Sequence, residues 1–157
     1  MNDDAEILLD QTKSAWDLMC AVKAKTRSST VTSSPVQVTI ILDNCGLELV
    51  SDLVLVDALL ATDMCDVVHL HCKADPVFVS DVMWKDIFTC LTWMESLTGF
   101  PGAATISSRL RMWIRSHRVV ILPNSFYNSA RAFWDMPRDI RSLLEGSCLT
   151  IGLFLHC

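Results

Sequence analysis

Val36-Gln-Val-Thr-Ile-Ile-Leu42 runs straight into Asp43-Asn44-Cys45-Gly46, and Leu49, Leu53, Val56, Leu59 and Leu60 then recur at helical spacing between Glu48 and Thr62. A short β-branched run halted by Asp, Asn and Gly is the pattern of a buried strand entering a turn. The three- and four-residue recurrence that follows is that of a helix with one apolar face. Strand, turn and helix in this order form the first part of a β-α-β unit, in which a crossover helix joins parallel strands.

The same grammar returns downstream. Val67 to Cys72 is strand-like, Lys73 to Val79 is a proline-containing connection, and Ser80 or Asp81 is placed to cap a helix reaching about Leu97. A Gly/Pro break at Gly99 to Gly102 precedes a helix predicted around Ile106 to Ser116, a strand over Val119 to Leu122, a helix over Arg138 to Glu145 and an apolar tail, Leu149 to Leu155. The alternation predicts an α/β fold with a mostly parallel sheet flanked by helices, a Rossmann-like three-layer arrangement. Upstream, Ala5 to Lys25 has mixed three- and four-residue apolar spacing with acids early and lysines late, the charge order a helix dipole prefers. The organisation expected is one domain over 1–157: a leading helix over 1–26, a Ser/Thr-rich linker over 27–35 and an α/β core over 36–157.

The bulk numbers narrow the classes. The 157 residues are 51% hydrophobic and 20% charged with a net charge of -5, which suits a folded domain and offers no basic face to nucleic acid. Met1-Asn2-Asp3-Asp4 is acidic where a leader needs positive charge, and no apolar run reaches the roughly 18 residues of a membrane span. A soluble cytoplasmic protein without membrane partners is expected. Seven cysteines lack any C-x-x-C pair, which favours reduced thiols over a zinc site or disulfides.

Ligands of an open parallel sheet collect beyond the carboxyl ends of its strands. Asp43-Asn44 sits at one such end, with Glu48 opening the next helix, and Asp81 sits after the second strand. Two carboxylates and an amide oxygen are a hard ligand set, suited to Mg²⁺ or Mn²⁺. On spacing alone the plainer reading is Asp43 and Asn44 as turn formers and Asp81 as a helix cap.

Asp43-Asn44-Cys45-Gly46-Leu47-Glu48-Leu49-Val50-Ser51-Asp52 resembles the D-N-x-G-x-E-L-x-x-D signature of the metal-dependent damage-control phosphatases, also described as acidic-residue methyltransferase-like proteins. Lys73-Ala74-Asp75-Pro76-Val77-Phe78-Val79-Ser80-Asp81 is similar to that family's K-x-x-P-W-F-V-S-D segment, and Asp81 follows Asp43 by 38 positions, the family's spacing. Ile7-Leu8-Leu9 with Trp16, and Ser125-Phe126-Tyr127 through Met136-Pro137, extend the similarity along most of the chain. The resemblance implies that Asp43, Asn44 and Asp81 hold a divalent ion and act in catalysis, and that Asp43, Asn44, Glu48 and Lys73 lie at the substrate. The ion implied is Mn²⁺, or Co²⁺, Ni²⁺ or Mg²⁺; the substrate implied is a small sugar phosphate or related phosphometabolite. For Lys73, a solvent-exposed salt bridge to Asp75 is the plainer reading of the residues.

The chain also departs from the pattern. Val77 stands where the family has tryptophan, and Gly152-Leu153-Phe154-Leu155-His156-Cys157 stands where it continues into K-G-D-x-N-Y-R. The fold is therefore expected to be incomplete at its C-terminal end. That leaves a second reading open, a non-catalytic remnant or interaction protein, and a third, S-adenosylmethionine-dependent carboxyl methylation, for which no glycine-rich nucleotide loop is present.

Other candidates read more plainly. His69 and His71 share one strand face and could take a transition metal, but surface histidines are the commoner case. Arg109, Arg111, Arg115 and Arg118 read as a solvated face over a core, and Asp52 as a helix-surface acid one turn beyond Glu48. Cys45, inside the turn, is the one thiol close to the expected ion.

Overall fold

The computed structural model describes residues 10–28, 35–129 and 131–152. The core is a four-stranded sheet in the order β3-β2-β1-β4, built from β1 (Gln37–Ile41), β2 (Val67–Lys73), β3 (Val119–Asn124) and β4 (Leu149–Gly152). Every pairing is parallel. The α/β class and the layering expected from the alternation are what the chain adopts.

Register sorts the strands into two faces. Val38, Ile40, Val68, Leu70, Cys72 and Val119 lie on one face and are buried with Leu49, Leu53, Val56, Ile87, Leu91, Leu110 and Trp113. Those partners come from α2 (Leu47–Ala61), α3 (Trp84–Ser96) and α4 (Pro101–Arg115), which form one outer layer. The other face carries Thr39, Ile41, His69 and His71. It is covered in part by the 3-10 turn Ser125–Asn128, and a smaller cluster of Phe126, Met136 and Ile140 includes α5 (Arg138–Glu145). The leading helix, α1 (Thr12–Ser28), buries Met19 in the main core, and its Lys23 Nζ donates to the Thr62 carbonyl at 3.1 Å.

Several boundaries differ from the sequence reading. α1 continues through Arg27 and Ser28, which the reading gave to the linker; residues 29–34 of that linker, the helix start before residue 10 and the tail after Gly152 lie outside the described residues. α4 begins at Pro101 rather than Ile106. Proline's fixed φ and missing N–H suit the first helical turn, so the Gly/Pro break is a helix start. α3 is preceded by Met83, whose N–H is accepted by Asp86 Oδ2 at 2.9 Å; neither Ser80 nor Asp81 caps it.

α2 and α4 end alike. Asp63 and His117 take the left-handed conformation one residue past each cap, with Met64 N–H donating to Leu59 O and Arg118 N–H to Trp113 O. This six-to-one closure satisfies end carbonyls and turns the chain directly into the next strand.

Arg109 and Arg111 do not form a merely solvated face. The Arg109 guanidinium grips the buried Asp57 carboxylate of α2 through two N–H groups, and Arg111 Nε meets Glu95 of α3 at 2.7 Å. α4 is thereby tied to both neighbouring helices.

Candidate metal and phosphate centre

β1 and β2 are adjacent and parallel, so their carboxyl ends deliver Asp43-Asn44 and Lys73 to one rim of the sheet. Two crossing segments close there. Val82 N–H donates to Asp43 O at 3.0 Å, Cys45 N–H to Ser80 O at 2.7 Å, and Asn44 and Asp81 form an antiparallel bridge. Gly46 makes the turn into α2 possible at φ 86° and ψ -136°, a region essentially reserved for glycine.

Asp81 is 4% exposed and fully engaged. Its Oδ2 accepts the N–H groups of Val77 and Phe78, each at 2.6 Å, and its Oδ1 accepts from Lys73 Nζ at 2.5 Å. Those N–H groups belong to the preceding loop rather than to a helix, which rules out the cap reading of Asp81. Burial alone would raise its pKa. The Lys73 hydrogen bond and the Phe78 and Val77 N–H groups outweigh that and hold the carboxyl below its usual range.

Lys73 does not pair with Asp75 as a surface lysine. Its ammonium lies between Asp81 Oδ1 and Asp43 Oδ1, 3.3 Å from the latter, because two largely sequestered carboxylates outcompete one exposed acid. Burial lowers the Lys73 pKa, but bonds to Asp81 and Asp43 raise it further, so the ammonium stays charged.

Asn44 is held from both sides. Its Nδ2 donates to Asp43 Oδ2 at 3.1 Å and to Glu48 Oε2 at 3.2 Å, while its Oδ1 accepts from Ser80 Oγ at 2.7 Å. Glu48 Oε1 also receives the Asn44 backbone N–H at 3.4 Å. Glu48 therefore orients Asn44. The five residues singled out in sequence, Asp43, Asn44, Glu48, Lys73 and Asp81, form one connected network.

Among the described residues, no three His, Cys, Asp or Glu side chains converge as a ligand set. The network offers two carboxylates and one amide oxygen, a donor set of hard oxygens. Its two carboxylates share one cationic atom, the Lys73 ammonium, at 2.5 and 3.3 Å.

Asp52 is more than a helix-surface acid. Burial, then the neighbouring Glu48 charge, push its carboxyl from 3.8 up to about 6. A carboxyl raised in the fold costs stability once ionised: nothing below about pH 4, increasingly up to about 6, and fully above. Asp52→Asn should raise Tm at pH 8 and leave it nearly unchanged at pH 4. Equal shifts at both pH values would rule out this ionisation penalty.

Cys45 Sγ approaches Asp81 O at 3.6 Å, and burial raises its thiol pKa, so it is a poor nucleophile. The six described cysteines are free. His69 and His71 are not surface residues, because β2 lies inside the sheet with a neighbour on each side. His71 Nδ1 meets Tyr127 Oη at 2.9 Å, and burial, then His69, lower its imidazole pKa to about 4.

The sequence reading missed the buttress of the 74–81 loop. Asn128 Oδ1 accepts the Ala74 N–H at 3.0 Å, and its Nδ2 donates to Asp75 O. No local pattern marks Asn128, since its partner lies more than 50 residues away.

Comparison with known proteins gives one family. The family model of the damage-control phosphatase ARMT1-like domain matches residues 2–152. Damage-control phosphatase ARMT1 of Mus musculus is 32% identical over 132 residues, covering 84% of this chain and 29% of the relative. That of Rattus norvegicus is 34% identical over 126 residues, covering 76% and 28%. That of Homo sapiens is 42% identical over 80 residues, covering 51% and 17%. The chain thus spans less than a third of the length of these relatives. Among the described residues no helix is long and apolar enough to cross a membrane.

Proposed function

Because this chain belongs to the damage-control phosphatase ARMT1-like family, we propose that it carries the cation-holding residues of a divalent-metal-dependent phosphatase for small phosphorylated metabolites, sugar phosphates foremost. The observation that carries the reading is the convergence of Asp43 Oδ1 and Asp81 Oδ1 on a single cationic atom at the carboxyl ends of adjacent strands. Asp43, Asn44 and Asp81 are the residues that would hold the ion, Mn²⁺ or a similar hard divalent ion. When bound, such an ion neutralises phosphoryl charge and lowers the pKa of a bound water.

The protein's own groups supply position. Val77 and Phe78 N–H groups fix the Asp81 carboxylate, Glu48 fixes the Asn44 amide, and Lys73 supplies a positive charge beside the carboxylates that can balance an approaching phosphate. Binding without turnover is the second reading.

Mn²⁺ titration by calorimetry, followed by phosphate release from a sugar-phosphate panel with Mn²⁺ or with chelator, tests both. Binding with chelator-sensitive release supports the enzyme. Binding without release supports the second reading, and no binding removes the metal centre from both.

A further inference from the structure

Each carboxylate of the centre has one oxygen committed elsewhere. Asp81 Oδ2 takes the Val77 and Phe78 N–H groups, and Asp43 Oδ2 takes Asn44 Nδ2. The carboxylate oxygens left for a cation are the two Oδ1 atoms, and Lys73 Nζ holds both. A lysine that merely oriented the carboxylates would share the oxygens already committed to other donors; Lys73 instead bonds the two that no other group takes.

We propose that Lys73 is a built-in competitor for the cation: its ammonium and a divalent ion draw on the same two carboxylate oxygens, so loading of the centre requires Lys73 to swing away. This rests on the metal reading above. Two cations cannot share these oxygens at bonding distance, because a divalent ion sits about 2.0–2.2 Å from its carboxylate ligands and would repel an ammonium held against the same atoms. The Lys73 backbone is held, its N–H donating to Val82 O at 3.2 Å, so the swing falls to the four-carbon stem and its rotatable bonds. The displaced charge stays within one side-chain length of the carboxylates, where the phosphate of a substrate would arrive. Ion entry and phosphate capture thereby become one event: the ion releases the cation that greets the phosphate.

Calorimetric Mn²⁺ titration of the whole chain as wild type, Lys73→Met and Lys73→Arg tests this. Lys73→Met removes the charge and keeps the length, so it should bind Mn²⁺ at least about tenfold tighter and gain more Tm from the ion. Lys73→Arg keeps the charge and should bind no tighter than wild type. Wild-type binding with equal or weaker affinity in Lys73→Met overturns the competition and leaves the metal reading standing. Absence of binding in wild type and Lys73→Met alike overturns both. Should Lys73→Met fail to fold, titration of Mg²⁺ into wild-type chain labelled at lysine ¹³Cε gives the answer: the Lys73 signal, assigned through Lys73→Arg, must shift, and its constancy sinks the proposal.

Discussion

Asp81→Ala should abolish measurable Mn²⁺ binding and lower any phosphate release by about a hundredfold or more, the largest functional loss of any single substitution in this chain. Asp81 joins three functions in one side chain. Its charge answers Lys73 and the expected ion, its Oδ2 organises the Val77–Phe78 loop, and its backbone carbonyl lies against Cys45. Alanine removes the first two together. Asp81→Asn separates them, since an amide oxygen still accepts the two N–H groups while the charge is gone. The asparagine variant should therefore lose the ion as completely as alanine but lose less Tm. Calorimetry and thermal melting of the pair decide the matter. An Asp81→Asn protein that binds Mn²⁺ like wild type would remove Asp81 from the ligand set.

Leu70→Ala should cost about 3–5 kcal/mol, a large share of the 5–15 kcal/mol that usually separates folded from unfolded chains. Leu70 is fully buried at the middle of β2, between Ile40 of β1 and Ile121 of β3 in register, beneath the α2–α4 layer. Three backbone strands fix its surroundings, so the space vacated by the side chain cannot collapse easily, and the cavity cost adds to the lost transfer energy. Urea unfolding of both proteins measures the difference. A change below about 1 kcal/mol would mean that this part of the sheet is loosely packed.

How much was legible in sequence depended on how local each feature is. β1, α2 and α5 were readable because strand and helix periods are written in adjacent residues, and α5 falls on its predicted limits. The proximity of Asp43 and Asp81 was also readable, since two parallel strands with successive crossovers bring their carboxyl ends to one rim. What failed was non-local. His69 and His71 looked like surface residues because strand order is invisible in β2 itself; only pairing with β3, some 50 positions on, makes β2 internal. Lys73 looked bound to Asp75 because two residues in sequence seem nearer than eight or thirty, yet the strand ends and its chain turns back before Asp81. Pro101 reads as an interruption because a proline at the first helical position and one in a loop share the same local signature.

The uniform direction of the strands sets where the molecule can be handled. Every strand starts at the rim where Val36 N–H is bound by Asp66 Oδ2 at 2.7 Å and Arg118 Nε donates to Asp66 O at 3.0 Å. That floor is separated from the carboxylates by the length of β1 or β2, roughly 20 Å at about 3.3 Å per residue. A dye or surface anchor grafted onto the floor would leave the opposite end open to solution, whereas the same graft at Gly152, paired with Ile41 at the end of β4, would crowd it.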